Sequence, residues 1–277
     1  MEETLLKRLQ KIEFETLRLF INICNKYELR YFMLGGSCLG AVRHSGFIPW
    51  DDDIDVGMPR KDYNKFLDIA QSEFPENIFL QTMNTDIGYS MCFAKLRNSD
   101  TTFIESSVKN FNINHGVYID VFPLDGITDD KRKLKKYLFK RRILQRAKGK
   151  YYLHTKEKSN SFKSRVGDII CRVLFPKLRN ILKAEEKLML KYDYDECNLV
   201  FNYCGAWGEK EISPKEWFGT GKDAEFEDLT VTIPQNSDAY LTKLYGDYMS
   251  LPPVEKRGGH HYCEVIDLEK SYKNYLK

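Results

Sequence analysis

The sequence predicts an α+β fold in which a mixed sheet is flanked by helices and carries a helical insert. Apolar residues near the N-terminus recur every three or four positions, which is the spacing of a helix. Short apolar runs bounded by glycine or proline follow in the first half, and these predict strands. From residue 129 the chain becomes basic and shows helical spacing. We therefore expect a core at 1–128, a basic helical insert at 129–200, and a C-terminal segment at 201–277 that completes the core.

The first element is a helix from Glu3 to Lys26, whose apolar residues form one stripe that faces the core. The stripe consists of Leu5, Leu9, Ile12, Leu19, Phe20, Ile23 and Cys24. A buried strand from Tyr31 to Leu34 comes next, and Gly35-Gly36-Ser37 ends it with a tight turn that opens a second helix. Pro59 then precedes a helix from Arg60 to Phe74, because proline suits the start of a helix.

The remaining elements follow from shorter patterns. Apolar runs predict strands at Ile78–Thr82, Met91–Leu96, Thr101–Ile104, Val117–Phe122 and Leu229–Ile233. A helix is expected from Ser237 to Tyr245, with Ser237 as its N-cap. Aromatic-rich loops are expected from Tyr203 to Trp217, and the proline- and glycine-containing tail from Leu251 to His261 is not expected to form regular structure.

The insert has a basic face and an apolar face. Eleven residues between 131 and 150 are Lys or Arg, whereas Leu134, Tyr137, Leu138 and Leu144 share the opposite side. Two interpretations stay open. The helix either docks on a membrane or an anionic glycan, or it packs on the core and keeps a solvated basic face.

Composition and cysteine usage exclude several classes of protein. With 277 residues, of which 42% are hydrophobic, the chain can bury a large core and is not disordered. Its start lacks the apolar region of a secretory signal, and the stretch around Ile169 to Phe175 falls short of the roughly 20 apolar residues that span a bilayer. Seven scattered cysteines without a Cys-x-x-Cys pair are typical of a reducing compartment, so we expect a cytoplasmic protein.

The cysteines are expected to be ordinary buried thiols. A zinc site is the less favoured alternative, because the spacing of its candidate ligands matches no common zinc module. Those candidates are Cys197, Cys204, Cys263 and either His260 or His261.

The most informative segment runs from Gly35 to Gly57 and ends in four aspartates within five residues. These are Asp51, Asp52, Asp53 and Asp55. Apolar residues alternate with Asp53 and Asp55 as on a buried strand, where ionised carboxylates are costly without a positive partner. Residues two apart on a strand share a face, so this pair is expected to converge on one hard cation or to bridge two. Mg²⁺ prefers such oxygen ligands and keeps positions open for phosphates.

A third carboxylate of this kind is Asp120, on the predicted strand Val117–Phe122. Its neighbours are apolar, so an unpaired charge there would be expensive. We expect Asp120 to meet the same cation.

Two simpler interpretations of the acidic segment are a solvated loop and a calcium loop. In a calcium loop, Asp51, Asp53 and Asp55 would occupy the first three EF-hand ligand positions, but Val56 replaces the required glycine and Asp62 the required glutamate. A catalytic metal accounts better for the apolar residues that lie between the acids.

The turn Gly35-Gly36-Ser37 is a candidate phosphate site. At a strand-to-helix junction it offers backbone N–H groups and a hydroxyl at the positive end of a helix. Arg43 follows closely enough to bind the same phosphate in a bidentate manner. A plain turn is the alternative, and the aspartate pair that follows favours the phosphate site.

These residues together resemble the LicD family, a branch of the nucleotidyltransferase superfamily to which fukutin and fukutin-related protein are also similar. The resemblance rests on Gly35–Gly57, on Tyr118–Asp125, and on C-terminal segments at 226–229, 245–248, 252–253 and 257–261. It covers most of the chain apart from the insert. The sequence departs from fukutin-related protein because it has no equivalent of that protein's zinc-binding cysteine cluster, which favours the bacterial branch.

The resemblance implies a nucleotidyltransferase-like fold and a set of site residues. Asp53, Asp55 and Asp120 would be catalytic and bind the metal, with Asp51 as an accessory ligand and Asp52 facing away. The residues expected to bind substrate are Gly36, Ser37, Arg43, Lys95, Arg257, His260 and His261. The metal would be Mg²⁺, and Mn²⁺ can take its place.

The resemblance also implies an activity. Members of the family transfer phosphocholine from CDP-choline to teichoic acid or lipopolysaccharide sugars, and the fukutin relatives transfer ribitol phosphate from CDP-ribitol. We therefore expect an enzyme that transfers phosphocholine to a hydroxyl of an envelope glycan, which can be lipid-linked at the inner face of the membrane. Transfer of ribitol or glycerol phosphate from a CDP donor is the alternative.

If the donor carries choline, aromatic faces are needed to bind its quaternary ammonium, and the candidates are Tyr203, Trp207, Trp217 and Tyr248.

A different class of protein also stays open, namely a non-enzymatic module that binds anionic lipid or nucleic acid and holds a structural metal. Its acidic trio would repel phosphates in the absence of metal, so no nucleic-acid partner is expected. Magnesium-dependent release of CMP from CDP-choline would distinguish the enzyme from the module.

Overall fold

The computed structural model describes residues 4–152, 177–259 and 261–276, and it has the α+β class that the sequence predicts. The described residues form six α-helices: α1 (Leu5–Lys26), α2 (Gly35–His44), α3 (Arg60–Glu73), α4 (Lys131–Tyr152), α5 (Leu178–Met189) and α6 (Ser237–Tyr245). The same residues form eleven strands: β1 (Phe32–Met33), β2 (Asp55–Pro59), β3 (Ile78–Gln81), β4 (Ala94–Asn98), β5 (Thr102–Glu105), β6 (Val117–Ile127), β7 (Leu199–Phe201), β8 (Ile212–Pro214), β9 (Lys222–Phe226), β10 (Leu229–Ile233) and β11 (Cys263–Asp267).

The main sheet is mixed. Its strands follow the order β1-β2-β6-β4-β3, in which β2 and β6 are parallel and the other neighbours are antiparallel. β7 pairs with the far end of β6, and β8 pairs with β7. The hairpin β9–β10 and the pair β5–β11 complete the strand pairing. The parallel pair β2–β6 lies in the interior of this order, which is where the predicted site residues fall.

Strand β6 is the buried centre of the sheet, since all eleven of its residues are buried. β4 pairs with it as far as Val121, and β7 begins to pair at Asp125. Pro123, which cannot donate a ladder hydrogen bond, lies in the gap between these two partners. Gly126 is required for a different reason, because a Cβ there would lie 2.2 Å from the backbone oxygen of Asp193. This close approach brings residues 193–194 against the sheet.

Helix α1 covers the core, as its apolar stripe predicts. Leu17 and Phe20 are fully buried, and the helix packs against β6 and α3. Thr4 caps it, since its hydroxyl accepts a hydrogen bond from the amide of Lys7 at 3.3 Å. The stripe also carries two polar residues into the interior, Gln10 and Glu13, each 2% exposed.

Several predicted boundaries are wrong. Asn236, and not Ser237, caps α6, because the Asn236 side chain accepts from the amide of Ala239 at 3.1 Å. The predicted strand Met91–Leu96 begins only at Ala94, since the apolar residues before it pack into the core instead of pairing. β7, β8, β9 and β11 were not predicted, because their short or partly exposed sequences lack a clear apolar alternation. β8 lies in the segment from Tyr203 to Trp217 that was expected to be loop.

The described part of the insert packs on the core through its apolar face. Tyr137 and Leu144 of α4 are buried in a cluster with Ile181 of α5 and Phe201 of β7. Most of the basic residues of α4 are exposed, and Phe139 beside them is 63% exposed. This packing is what we expect if the helix packs on the core and keeps a solvated basic face. The exposed basic face is also available for docking on a membrane or an anionic glycan. The middle of the insert, including Ile169–Phe175, lies outside the described residues, and the division at 128 and 200 stays a prediction.

Within the described ranges, no helix combines the length and the apolarity that crossing a bilayer requires.

Candidate metal and phosphate site

The parallel register of β2 and β6 sets two predicted site residues side by side. Asp55 pairs with Asp120, and the amide of Asp120 donates to the carbonyl of Ile54 at 2.8 Å. Neighbouring strands lie about 4.8 Å apart, and residues paired in register point to the same face. The carboxylates of Asp55 and Asp120 therefore share one face of the sheet.

The loop that precedes β2 adds three more carboxylates. Asp51, Asp52 and Asp53 each offer an oxygen, and these oxygens all lie within 4.8 Å of one another. Two predictions are wrong here. β2 begins at Asp55, so Asp53 lies in the loop before it, and Asp52 faces the cluster instead of facing away. A loop is not bound by the alternation of a strand, which is why three consecutive aspartates can point into one place.

Burial and mutual repulsion raise the pKa values of these carboxyls. Burial and then the charge of Asp52 raise the pKa of Asp51 to about 6. Burial and then the charge of Asp51 raise the pKa of Asp53 to about 7. The pKa of Asp55 is raised for the same reasons, by burial first and by Asp53 next. The cluster is therefore expensive to ionise without a positive partner.

This donor set fits a hard divalent cation. Carboxylate oxygens are the ligands of Mg²⁺ and Mn²⁺, and partly buried acids that repel one another are stabilised when such an ion binds. Within the described residues, Asp51, Asp52 and Asp53 are the one group of three or more Asp, Glu, His or Cys ligand atoms that meet this closely, and it contains no cysteine. Asp55 and Asp120 lie beside it on the sheet. The assignment of individual ligands stays a prediction.

The predicted phosphate turn packs directly on these aspartates. It forms the first turn of the ten-residue helix α2, where Gly35 has a φ of +48°, which glycine adopts most readily. A Cβ on Gly36 would lie 2.7 Å from Asp51 Oδ2, so a larger residue there would displace that carboxylate. The hydroxyl of Ser37 accepts a hydrogen bond from the amide of Asp55 at 2.8 Å. The positive end of α2 and the acidic cluster thus share one site.

The two predicted arginines lie near each other, with Arg43 in the last turn of α2, about 12 Å along the helix axis from Gly35. A guanidinium nitrogen of Arg43 donates to the carbonyl of Tyr248 at 2.5 Å. Arg257 donates to the carbonyl of Pro252 at 2.9 Å and stacks over Trp50 at 5.0 Å. Burial lowers the pKa of Arg43, and the charge of Arg257 lowers it further, as expected for guanidinium groups that are close together. Each guanidinium has five N–H donors, so a phosphate can still bind both residues.

Lys95 lies in the site, where its partner is a carboxylate. Its ammonium is 2.8 Å from Asp120 Oδ1 and 3.3 Å from the ring centroid of Tyr118. Register explains the contact, because Lys95 pairs with Asp120 across β4 and β6. Lys95 therefore compensates the charge of Asp120, whereas its predicted contact with substrate stays a prediction.

His261 connects the C-terminal segment to the acidic loop. Its amide donates to Asp52 Oδ2 and its Nδ1 contacts Asp52 Oδ1, both at 3.2 Å. Burial lowers the pKa of His261, but the hydrogen bond to Asp52 and the nearby aspartates outweigh it and raise the pKa overall. The predicted contact of His261 with a substrate phosphate is thus accompanied by a contact with the site itself. His260 lies outside the described residues.

Three residues of the site were missed by the sequence reasoning. Tyr240 accepts a hydrogen bond from the amide of Gly35 at 3.1 Å, and the hydroxyl of Tyr245 lies 3.6 Å from the Cβ position of Gly35. The contacts of these tyrosines are long-range, so no local signal identifies them. The burial of Glu13 could have been predicted, because its four-residue spacing from both Leu9 and Leu17 places it on the buried face of α1.

Without a bound cation, the stability of the fold is expected to fall as pH rises from about 4 to about 7. In the unfolded chain, Asp51 and Asp53 ionise near the ordinary pKa of 3.8, whereas in the folded chain they ionise at about 6 and about 7. The folded state therefore binds more protons in this interval, and raising the pH favours unfolding. A divalent cation that binds the ionised carboxylates is expected to offset this loss.

Thermal melts at about pH 5 and about pH 7.5, with EDTA and with Mg²⁺, would measure the effect. We expect the melting temperature in EDTA to be lower at the higher pH, and the increase produced by Mg²⁺ to be larger there. An increase of equal size at both pH values would contradict the assignment of these carboxylates to a cation site.

Comparisons with known proteins show the family of this chain. Residues 28–157 match the family described as LicD/FKTN/FKRP, nucleotidyltransferase domain. The chain is 31% identical over 275 residues to the lipopolysaccharide cholinephosphotransferase LicD of Haemophilus influenzae, which covers 97% of this chain and 100% of that protein. It is 44% identical over 48 residues to the ribitol 5-phosphate transferase FKRP of Homo sapiens and of Mus musculus, which covers 17% of this chain and 10% of each relative. Because the first similarity extends over nearly the whole of both proteins, this chain belongs to the LicD family.

Proposed function

We propose that this chain transfers phosphocholine from CDP-choline to a hydroxyl of a cell-envelope glycan and releases CMP. The observation that carries the proposal is the register that sets Asp55 beside Asp120, next to the Asp51–Asp53 loop and the N-terminus of α2. The full-length similarity to a lipopolysaccharide cholinephosphotransferase supports the choice of phosphocholine. A lipopolysaccharide or teichoic acid precursor, free or lipid-linked, is the proposed acceptor, and the inner face of the cell membrane is the proposed location.

A second candidate is transfer of ribitol or glycerol phosphate from a CDP donor. The local similarity to the ribitol 5-phosphate transferase FKRP favours it. The similarity covers 17% of this chain, whereas the similarity to the cholinephosphotransferase covers 97%. Phosphocholine is therefore the better supported group.

The residues of the site supply the steps of an in-line displacement. The acceptor oxygen attacks the choline-bearing phosphorus, the bond from that phosphorus to the bridging oxygen breaks, and CMP leaves with that oxygen. Asp120 takes the proton of the acceptor hydroxyl, and Lys95 compensates the charge of this carboxylate at 2.8 Å. Mg²⁺ held by Asp51, Asp53, Asp55 and Asp120 would neutralise the diphosphate and the leaving group.

The turn and the arginines orient the donor. The N-terminus of α2 attracts anions, so Gly36 and Ser37 are proposed to bind a donor phosphate. Arg43, in the last turn of the same helix, and the neighbouring Arg257 are proposed to bind the second phosphate.

Among the aromatic residues considered for choline, we propose Trp207. Tyr203 is fully buried in the second hydrophobic cluster, whereas Trp207 is 42% exposed and packs edge-on against Tyr245 with ring centroids 5.0 Å apart. Tyr245 in turn reaches the Gly35 turn. Aromatic faces attract a quaternary ammonium, so we assign the trimethylammonium group to the Trp207–Tyr245 pair.

The direct test is release of CMP from CDP-choline by the purified chain, with Mg²⁺ and a glycan acceptor. We expect CMP release and transfer of phosphocholine to the glycan, both lost in EDTA. CDP-ribitol and CDP-glycerol are assayed in parallel. Faster transfer from either of these donors would show that the transferred group is the corresponding alditol phosphate and not phosphocholine. Inactivity with all three donors would reject the proposed function.

Replacing Trp207 by alanine is expected to weaken binding of CDP-choline about tenfold, because one cation–π contact in a partly desolvated site contributes about 1.4 kcal/mol. CMP, which lacks choline, is expected to bind the variant and the wild-type chain equally. Calorimetry of both ligands measures the difference, with Phe139→Ala on the exposed face of α4 as the matched control. Equal losses for CDP-choline and CMP would indicate a structural role for Trp207 and contradict the assignment.

A further inference from the structure

Helix α1 presents a polar patch to the acidic loop. Gln10 and Glu13 are three residues apart, so they lie on the same face of the helix, and each is 2% exposed. The side-chain amide of Gln10 donates to the carbonyls of Asp51 at 2.8 Å and Ile48 at 3.4 Å. This face of α1 therefore lies directly against the loop that carries Asp51, Asp52 and Asp53.

Two oxygens of this patch are buried without a hydrogen-bond partner in the part of the chain that the structure describes. They are Oε1 of Gln10 and Oε2 of Glu13. Both can accept hydrogen bonds or bind a cation. Buried polar atoms are almost always satisfied, and an unsatisfied one in a folded protein points to a water or an ion at that place. The missing partner of this patch is therefore a donor or a cation.

The surroundings of Glu13 are acidic. Burial and then the charges of Asp53, Asp52, Asp51 and Asp120 raise the pKa of Glu13 well above its usual range. Within the described residues, Lys95 contacts Asp120 and His261 contacts Asp52. A buried carboxyl in such acidic surroundings is stabilised by a proton or by a cation that binds nearby.

We propose that Glu13 and Gln10 form the inner wall of the metal site and accept hydrogen bonds from the water ligands of the divalent cation that the acidic cluster is proposed to hold. Mg²⁺ dehydrates reluctantly and keeps several waters, so a wall of acceptor oxygens suits it. Partners of this kind, outside the direct ligands, orient the site and tune its affinity. The inference rests on the proposed function only for the presence of a divalent cation and is independent of the donor.

The test measures metal binding in the absence of nucleotide. Mg²⁺ and Mn²⁺ are titrated into the full chain by calorimetry, and thermal melts are recorded in EDTA. Glu13→Gln is expected to weaken binding of the cation 10- to 100-fold, the usual effect of removing such a partner. The same variant is expected to melt at a higher temperature than the wild-type chain in EDTA at neutral pH, because glutamine replaces a carboxyl that is costly to bury in either its ionised or its protonated form. Glu15→Gln, on the exposed face of the same helix, is expected to change neither quantity.

The two readouts separate a metal role from a structural one. Unchanged affinity for the cation in Glu13→Gln overturns the proposal, whatever the melting temperature of the variant in EDTA. If Glu13→Gln fails to fold, Glu13→Asp keeps the charge but withdraws it by one methylene, and unchanged affinity in that variant likewise overturns the proposal. Weaker metal binding in a chain that does not use CDP-choline would support this inference while rejecting the proposed function.

Discussion

Replacing Asp53 by asparagine is expected to lower the rate of CMP release about 1000-fold or more, which corresponds to about 4 kcal/mol of lost transition-state stabilisation. The substitution keeps the shape of the side chain and removes one negative charge from the group that meets Asp51 and Asp52 within 4.8 Å. The proposed cation would then bind more weakly and neutralise the diphosphate less well. Because Asp53 lies in the loop before β2, the sheet is expected to form as before.

The measurement is single-turnover release of CMP from CDP-choline, with circular dichroism and a thermal melt to establish that the variant folds. Asp68→Asn provides the matched control, because Asp68 is exposed on α3 and lies outside the proposed site. It is expected to retain full activity. If Asp53→Asn kept more than about a tenth of the wild-type rate, the cation would contribute less than about 1.4 kcal/mol through this residue, and the proposed site would be wrong.

Local sequence patterns were sufficient to predict the helix, the glycine turn and the acidic segment that surround this site. The three- and four-residue spacing of α1, the glycines at the end of β1, and the acids that alternate with apolar residues near β2 each have a direct local cause. Asp120 was identifiable because a carboxylate inside an apolar run needs a partner. That Asp55 and Asp120 lie opposite each other is a consequence of strand register, which the sequence suggested only through their shared need for a cation.

The rest of the candidate site depends on contacts between residues that are distant in the chain. β11 pairs with β5 across more than half of the sequence, and this pairing leads His261 to Asp52. Tyr240 reaches the amide of Gly35 in the same way. Nothing near these residues in sequence encodes such contacts, because they arise when the C-terminal segment packs against a sheet that has already been specified. The prediction that Asp52 faces away is wrong for a local reason. β2 begins only at Asp55, so the alternating side-chain directions of a strand do not apply to Asp52.

The largest expected loss of stability is that of Asp125→Ala, at about 3–5 kcal/mol. Arg60 donates to both oxygens of Asp125, at 2.7 and 2.6 Å, and the two side chains are only 12% and 2% exposed. Arg60 begins α3 directly after β2, whereas Asp125 lies on β6 where pairing with β7 begins, so the pair joins the start of α3 to the central strand. Removing the carboxylate leaves a buried guanidinium without its partner, and this uncompensated charge accounts for most of the cost.

Urea denaturation of the wild-type chain and of Asp125→Ala measures this loss, which corresponds to a fall in melting temperature of roughly 10 °C for a chain of this size. The neighbouring residue supplies the control. Lys61 and Asp195 form an ion pair of similar length, 2.6 Å, but they are 65% and 45% exposed, so Asp195→Ala is expected to cost no more than about 1 kcal/mol. Replacing Arg60 by methionine and Asp125 by leucine together removes both charges and is expected to recover most of the loss. If Asp125→Ala were no more harmful than Asp195→Ala, the buried Arg60–Asp125 pair would contribute no more to stability than the exposed Lys61–Asp195 pair, and burial would not govern the cost of losing it.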